Sequence, residues 1–283
     1  ALQQRGMSVT VYERDRRFDE RKQGYGLTLQ QGASAVRALG LDDAARLSGV
    51  RSTQHLRIDA RDGRVLERFG SATRDADSAQ AAGTRRQNLH LPRQSLRALL
   101  YAALRPGTVS CGRRLVAVSG AGGAAELEFE SGATARARVA VGADGIWSAV
   151  RRAWGKSQGP AYSGVVVVLG FARHSASAEL GEHPALRDSN CVLELSDGRG
   201  TRLYAMPMEG AQYENGRSTM WQLSWRVDDE ARARELGAKG PTDLHAAAAS
   251  RCAGWAAPAA ELIAATRAED VTGYPVYDRD VDD

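Results

Sequence analysis

The run from Val139 to Arg152, VAVGADGIWSAVRR, constrains the fold more than any other stretch. Its apolar start (Val139, Ala140, Val141) predicts a short buried strand. Gly142, Asp144 and Gly145 follow, and Ser148 has the chemistry of a helix N-cap, so the spacing predicts strand, tight turn and helix start. Glycine admits positive φ and lets another group approach the backbone closely, while a helix N-terminus offers N–H groups and partial positive charge to an anion. A carboxylate in that turn repels a phosphate. Asp144 is therefore expected to accept from a hydroxyl, a water or a neighbouring N–H. By itself the turn also fits any strand-to-helix connection of an α/β protein, with Asp144 as a local turn former.

Upstream, Ala1 to Arg5 reads as the last turn of a helix, Gly6 as its C-cap, and Ser8 to Tyr12 as a buried strand leading to Glu13. Helix end, glycine, strand and acid form the second half of a βαβ dinucleotide unit, in which the carboxylate accepts from both ribose hydroxyls. No strand and no G-x-G-x-x-G precede Ala1, and the expectation is a chain truncated at its start. Arg14 to Gln23 lacks periodicity and reads as loop. The run GYGLTLQQGASAVRALGL follows, helical over Ala33 to Leu39 and ending at Gly40.

Residues 53–69 alternate around Asp62-Gly63, a hairpin signal, and Arg74 to Gly83 reads as loop. In HLPRQSLRALLYAAL a helix is expected after Pro92, with Leu96, Leu99, Leu100 and Leu104 on one face. Arg93 falls at its N-terminal end, where a cation gains nothing from the helix dipole and needs an anionic partner or solvent. Val109 to Val141 reads as a meander running into the turn. Beyond Gly159, strands are expected at Val165–Phe171, Cys191–Leu195, Arg202–Met206 and Thr219–Val227, then helices near 229–238, 242–253 and 258–266. Tyr204, Met206, Met208, Trp221, Leu223 and Trp225 supply an apolar face that either packs as core or lines an aromatic-sized pocket.

With 283 residues, 43% of them hydrophobic, the chain can bury a real core. Its longest apolar run, Val165 to Leu169, has strand length and falls far short of the roughly 20 residues of a membrane span. Cys111, Cys191 and Cys252 lie far apart without metal-ligand spacing, so no metal site is expected; reduced thiols in a cytoplasmic protein are. A net charge of +4 with scattered arginines gives no nucleic-acid surface. None of the five histidines has a partner visible in sequence, and no catalytic acid or base is assigned.

The segment GADGIWSAVR resembles the second cofactor motif of the flavoprotein aromatic hydroxylases, the para-hydroxybenzoate hydroxylase type of FAD-dependent monooxygenase, and VYERD with Glu13 and the Arg93 helix fall in that family's order. The resemblance implies an α/β fold: an incomplete Rossmann-like FAD-binding core interleaved with an α+β substrate domain on an antiparallel sheet. FAD would be bound by residues 1–50 and 86–160, substrate by 51–85 and 161–272, and 273–283 would return to the first domain. It further implies cofactor contacts at Glu13 and Arg14, a glycine-containing loop under the flavin at Gly26 and Leu27, Arg93 near the ribityl and pyrophosphate, backbone near adenine at Leu115, and Asp144 with Gly145 in the second motif. NADH or NADPH would reduce the flavin, and one atom of O2 would enter a small hydrophobic or aromatic substrate. Members continue past a stretch like GYPVYDRDVDD into a third motif, so truncation at the other end is expected too. A reductase or halogenase of the same fold, or an inactive fragment without flavin, are the competing readings.

Overall fold

A computed structural model describes residues 1–20, 26–70, 88–153, 155, 159–187, 191–208 and 218–279. The loop expected over Arg74 to Gly83 lies outside the described residues. In chain order the strands are β1 (Val11–Tyr12), β2 (Gly26–Leu29), β3 (Val50–Ser52), β4 (Gln54–Asp59), β5 (Val65–Phe69), β6 (Asn88–Pro92), β7 (Val109–Ser110), β8 (Leu115–Ala121), β9 (Ala124–Phe129), β10 (Thr134–Ala137), β11 (Ala161–Arg173), β12 (Cys191–Ser196), β13 (Arg202–Met208), β14 (Ser218–Arg226) and β15 (Thr272–Asp278). The helices are α1 (Gly32–Ala38), α2 (Asp42–Leu47), α3 (Arg93–Ala102), α4 (Ala149–Ala153), α5 (Ala178–Glu182), α6 (Pro184–Arg187), α7 (Glu230–Gly237), α8 (Pro241–Arg251) and α9 (Ala259–Ala264).

Two compact units share the chain: Ala1–Gln23, Leu100–Ser163 and Tyr277–Asp283 form the first, Gly24–Leu99 and Gly164–Val276 the second. Residues 24–50 and 86–99, grouped with the first domain by sequence, therefore cluster with the second.

In the first unit, β1 and β7 run parallel, Val11 opposite Val109 and Tyr12 opposite Ser110. Backbone bonds carry the pair onward, from Glu13 N–H to Ser110 O (3.0 Å) and from Arg113 N–H to Glu13 O (2.8 Å). The meander forms an antiparallel sheet in the order β10-β9-β8. Leu127 and Phe129 supply its buried side, and the Tyr12 ring sits 4.7 Å from that of Phe129. Two expectations are corrected. The strand over Ser8 to Tyr12 shrinks to Val11–Tyr12 and is exposed. Val139 to Val141 form no strand, and Val139 and Val141 are 74% and 76% exposed. An apolar run becomes a strand only when a neighbour completes its ladder, and none of the described segments pairs with this one.

In the second unit a seven-stranded sheet is ordered β15-β11-β14-β13-β12-β4-β5. The expected hairpin supplies β4 and β5, closed by Gly63 at φ +74°, and β4 joins the later strands by a parallel pairing, Gln54 to Cys191 through Asp59 to Ser196. The single apolar face expected from the sequence is divided by the pleat. Tyr204 pairs with Gln222 and Met206 with Met220, whereas Trp221 pairs with Ala205 and Leu223 with Leu203. Directly paired residues share a face, so the two tryptophans and Leu223 lie opposite Tyr204 and the methionines.

The tryptophan face is covered by the C-terminal helical segment. Trp221 donates through Nε1 to Thr266 Oγ1 at 2.8 Å, and the Arg251 guanidinium of α8 stacks 4.4 Å from the Trp225 ring. Met206, Met208, Met220 and Val192 form a buried cluster on the other face, with Phe171 and Tyr204 against it. There the small antiparallel sheet β2-β6-β3 approaches. At Gly26 a Cβ would lie 2.7 Å from Met208 Cε and 3.0 Å from Met206 Sδ, so a side chain here would have to push the methionine ends aside. Gly26 and Leu27 thus stand in β2, not in the loop expected. Strand pairing to Leu91 and Pro92 captures them. The helix after Pro92 ends at Ala102, ahead of Leu104. Leu96 and Leu99 pack on Leu29, Val36 and Leu91, while Leu100 is exposed.

Gly170 on β11 tests how tightly the tryptophan face is packed. An added Cβ would come within 2.5 Å of Trp221 Cζ2 and 2.9 Å of Thr266 Cγ2. Gly170→Ala is expected to destabilise the protein by about 2 kcal/mol in urea unfolding, the scale of an overpacked core; an unchanged midpoint would refute the packing described.

Candidate functional site

The turn at Asp144 is built by its own side chains. Asp144 Oδ2 accepts from Ala149 N–H (2.7 Å) and Val150 N–H (3.2 Å), and Oδ1 accepts from the Ser148 hydroxyl. Ser148 Oγ in turn accepts from Arg151 N–H at 3.0 Å, the N-cap contact expected of it. The first three N–H groups of α4 are therefore used within the chain. These donors are not open to an anion, and Asp144 accepts from a hydroxyl and neighbouring N–H groups, as expected from the sequence. Burial raises the Asp144 pKa, but the bonds from Ser148, Val150 and Ala149 outweigh it and the net shift is downward.

Beside this cap, Gly142 presses against Val150, whose Cβ would be 2.8 Å from a side chain at that position. Gly145 has φ +83° and open space where a side chain would go. Trp147 is half exposed, with its ring 5.2 Å from that of Tyr277.

Glu13 leaves the carboxyl end of β1. Its Oε1 accepts from Asp15 N–H at 3.0 Å, and Oε2 has no protein donor among the described residues. Arg14 is exposed, and it too has no side-chain partner among them. Leu115 opens β8 opposite Phe129, at a register shift that ends before Ala117. Glu13, Arg14, Leu115, Asp144 and Gly145 all belong to the first unit.

In the second unit the register of β2 on β6 places Gly26 opposite Pro92 and Leu27 opposite Leu91. Arg93 follows directly as the first residue of α3; it is half-buried and has no anionic partner among the described residues. Gly26, Leu27 and Arg93 are thus brought together by one strand pairing.

Sequence reasoning missed a polar chain under this corner. His90 is completely buried; Nδ1 lies 2.9 Å from Thr28 Oγ1 and Nε2 2.6 Å from Ser52 Oγ. Thr28 also reaches the Tyr204 hydroxyl, whose pKa is nevertheless raised by burial. Alternation in NLHLP puts His90 with Asn88 on the polar face, and burial of both faces of β6 is what the local pattern did not signal. Among the described residues no cluster of three or more His, Cys, Asp or Glu could hold a metal, and no helix is long and apolar enough to cross a membrane.

Comparisons with known proteins bear on this arrangement. Residues 1–261 match the FAD binding domain family. The chain is 29% identical over 286 aligned positions to 3-amino-4-hydroxybenzoate 2-monooxygenase of Streptomyces cremeus, aligning along its whole length with 64% of that protein. Among solved structures, 2,6-dihydroxypyridine-3-hydroxylase from Arthrobacter nicotinovorans superposes with a TM-score of 0.79 at 20% identity, over 99% of this chain and 69% of that one. HpxO of Klebsiella pneumoniae, complexed with FAD and uric acid, superposes with a TM-score of 0.76 at 21% identity, over 98% and 64%. The chain thus spans about two thirds of the length of these relatives, and its fold is the mixed α/β fold of FAD-dependent hydroxylases.

Asp144→Ala removes the acceptor for two helix N–H groups and a hydroxyl. The expected loss is about 1 to 2 kcal/mol in denaturant unfolding at neutral pH, as for other cap deletions. Because the folded pKa is lowered, this contribution is complete above the unfolded carboxylate value near 4 and disappears as pH falls through the folded one. A variant as stable as the parent at neutral pH would show that the cap contributes nothing.

Proposed function

The chain belongs to the FAD binding domain family, and from that premise we propose that it works as an FAD-dependent monooxygenase that oxidises a small aromatic substrate with O2 and NADH or NADPH. The observation that carries the reading is Glu13: a carboxylate at the carboxyl end of a parallel strand, oriented through one oxygen by Asp15 N–H and with no donor to its second oxygen among the described residues. That is the geometry a ribose hydroxyl pair requires. The free thiols of Cys111, Cys191 and Cys252 are compatible with a cytoplasmic enzyme.

Other residues fit the same group. Arg93 is a half-buried cation with no anionic partner among the described residues; the cofactor pyrophosphate would supply the anion and the ribityl hydroxyls neutral acceptors. Arg14 adds positive charge beside Glu13, and Leu115 offers backbone at the head of β8. Gly26 and Leu27 hold the strand end that precedes Arg93 across the ladder. Gly145 exposes backbone in open space, and Asp144 holds in shape the turn that would meet the cofactor. When bound, FAD supplies the redox chemistry with the reduced nicotinamide and O2. This chain contributes orientation and water exclusion, the latter through the buried face of Met206, Met208 and Met220 flanked by Phe171 and Tyr204.

Two measurements test the proposal. Glu13→Ala should weaken FAD affinity by about 1 to 3 kcal/mol, the worth of a charged hydrogen bond; unchanged affinity in a fluorescence titration contradicts the ribose role. A hydroxylated aromatic acid should trigger oxidation of the reduced nicotinamide with matching O2 consumption. Oxidation without O2 uptake would favour a reductase instead.

A further inference from the structure

One imidazole joins all three strands of the small sheet in the second unit. Thr28 on β2 and Ser52 on β3 flank His90 on the central strand β6, each hydroxyl bound to a different ring nitrogen. Thr28 and His90 are direct register partners, and two residues further along β6 Pro92 pairs with Gly26. The chain then turns straight into α3 at Arg93. The strand that His90 fastens is therefore the strand that delivers Arg93.

The surroundings offer a cation no compensation. His55 on β4 acts on His90 as a like charge. His55 feels Glu194 on β12, but Glu194 already pairs with Arg57 on β4 and Arg202 on β13. Tyr204 on β13 contributes a neutral hydroxyl through Thr28. Among the described residues no carboxylate bonds the ring. A protonated His90 would be a buried charge among hydroxyls, and opening the sheet to water is its relief.

We propose that His90 is a positioning residue for Arg93: its neutral imidazole fastens β2, β6 and β3 together, and its protonation releases the strand end that holds Arg93, so that flavin is lost in acid. The inference rests on Arg93 being a cofactor contact. Burial, with His55 second, pushes the His90 pKa down to about 4 from 6.5. A histidine lowered in this way contributes its full stability above the unfolded value, and the contribution falls away as pH drops from 6.5 towards the folded one. At neutral pH the staple is closed.

FAD affinity of the whole chain, measured by flavin fluorescence near neutral pH and at about pH 5, tests this in the wild type, His90→Gln and Arg93→Ala. Glutamine retains one donor and one acceptor but does not titrate. The wild type is expected to lose about tenfold or more in affinity on acidification, and His90→Gln about threefold or less. Arg93→Ala is expected to bind weakly at both pH values with little further loss. Equal acid losses in the wild type and His90→Gln would overturn the positioning role. Wild-type affinity in Arg93→Ala at neutral pH would overturn the underlying reading of Arg93 itself, a distinguishable failure. Should His90→Gln not fold, imidazole NMR of the wild type decides: the loss of FAD must share its midpoint with titration of one buried histidine, and separate midpoints refute the proposal.

Discussion

The shape of the turn that dominates the sequence depends on one carboxylate. Asp144 collects two backbone N–H groups and a hydroxyl, and Ser148 passes the same capping on to Arg151. A five-residue helix such as α4 is too short to persist through propensity alone. Its start is held by those bonds and by Val150 packed into the space that Gly142 leaves. The acid occupies the place an anionic ligand would take at a helix N-terminus, so what the turn presents outward is backbone around Gly145. An acid at the start of a helix needs no ligand to explain it, because the chain's own N–H groups and the Ser148 hydroxyl satisfy it.

The second unit solves a different problem, which is placing a cation that has no counter-ion among the described residues. Arg93 opens α3 at the end of β6, and the register with β2, the close approach at Gly26 and the His90 staple all converge on that strand end. Beneath it the sheet is two-sided. Aromatic and aliphatic residues bury against the helical segment on one face, and methionines with Tyr204 lie on the other. Methionine suits a buried face of irregular shape, since its thioether chain is unbranched and polarisable.

Much of this was legible from residue order. The hairpin at Asp62-Gly63, the four long strands beyond Gly159 and the three helices after them stand where alternation and helical spacing put them, because each carries a long local pattern. The N-cap role of Ser148 and a local acceptor role for Asp144 were legible for the same reason. What could not be read was pairing. Val139 to Val141 has the composition of a strand and lacks a ladder, Gly26 and Leu27 have the composition of a loop and gained one, and the tryptophans were grouped with the methionines until the register of β13 on β14 separated them. His90 escaped notice because Thr28 and Ser52 lie 62 and 38 residues away along the chain.

The account turns on Asp144 organising the turn before any cofactor arrives, and amide hydrogen exchange in flavin-free protein tests that most directly. The N–H groups of Ala149, Val150 and Arg151 should be protected at neutral pH without added FAD, and their protection should disappear together as acid protonates Asp144. Amides that exchange freely until FAD is added would mean that the ligand, not the carboxylate, builds the turn.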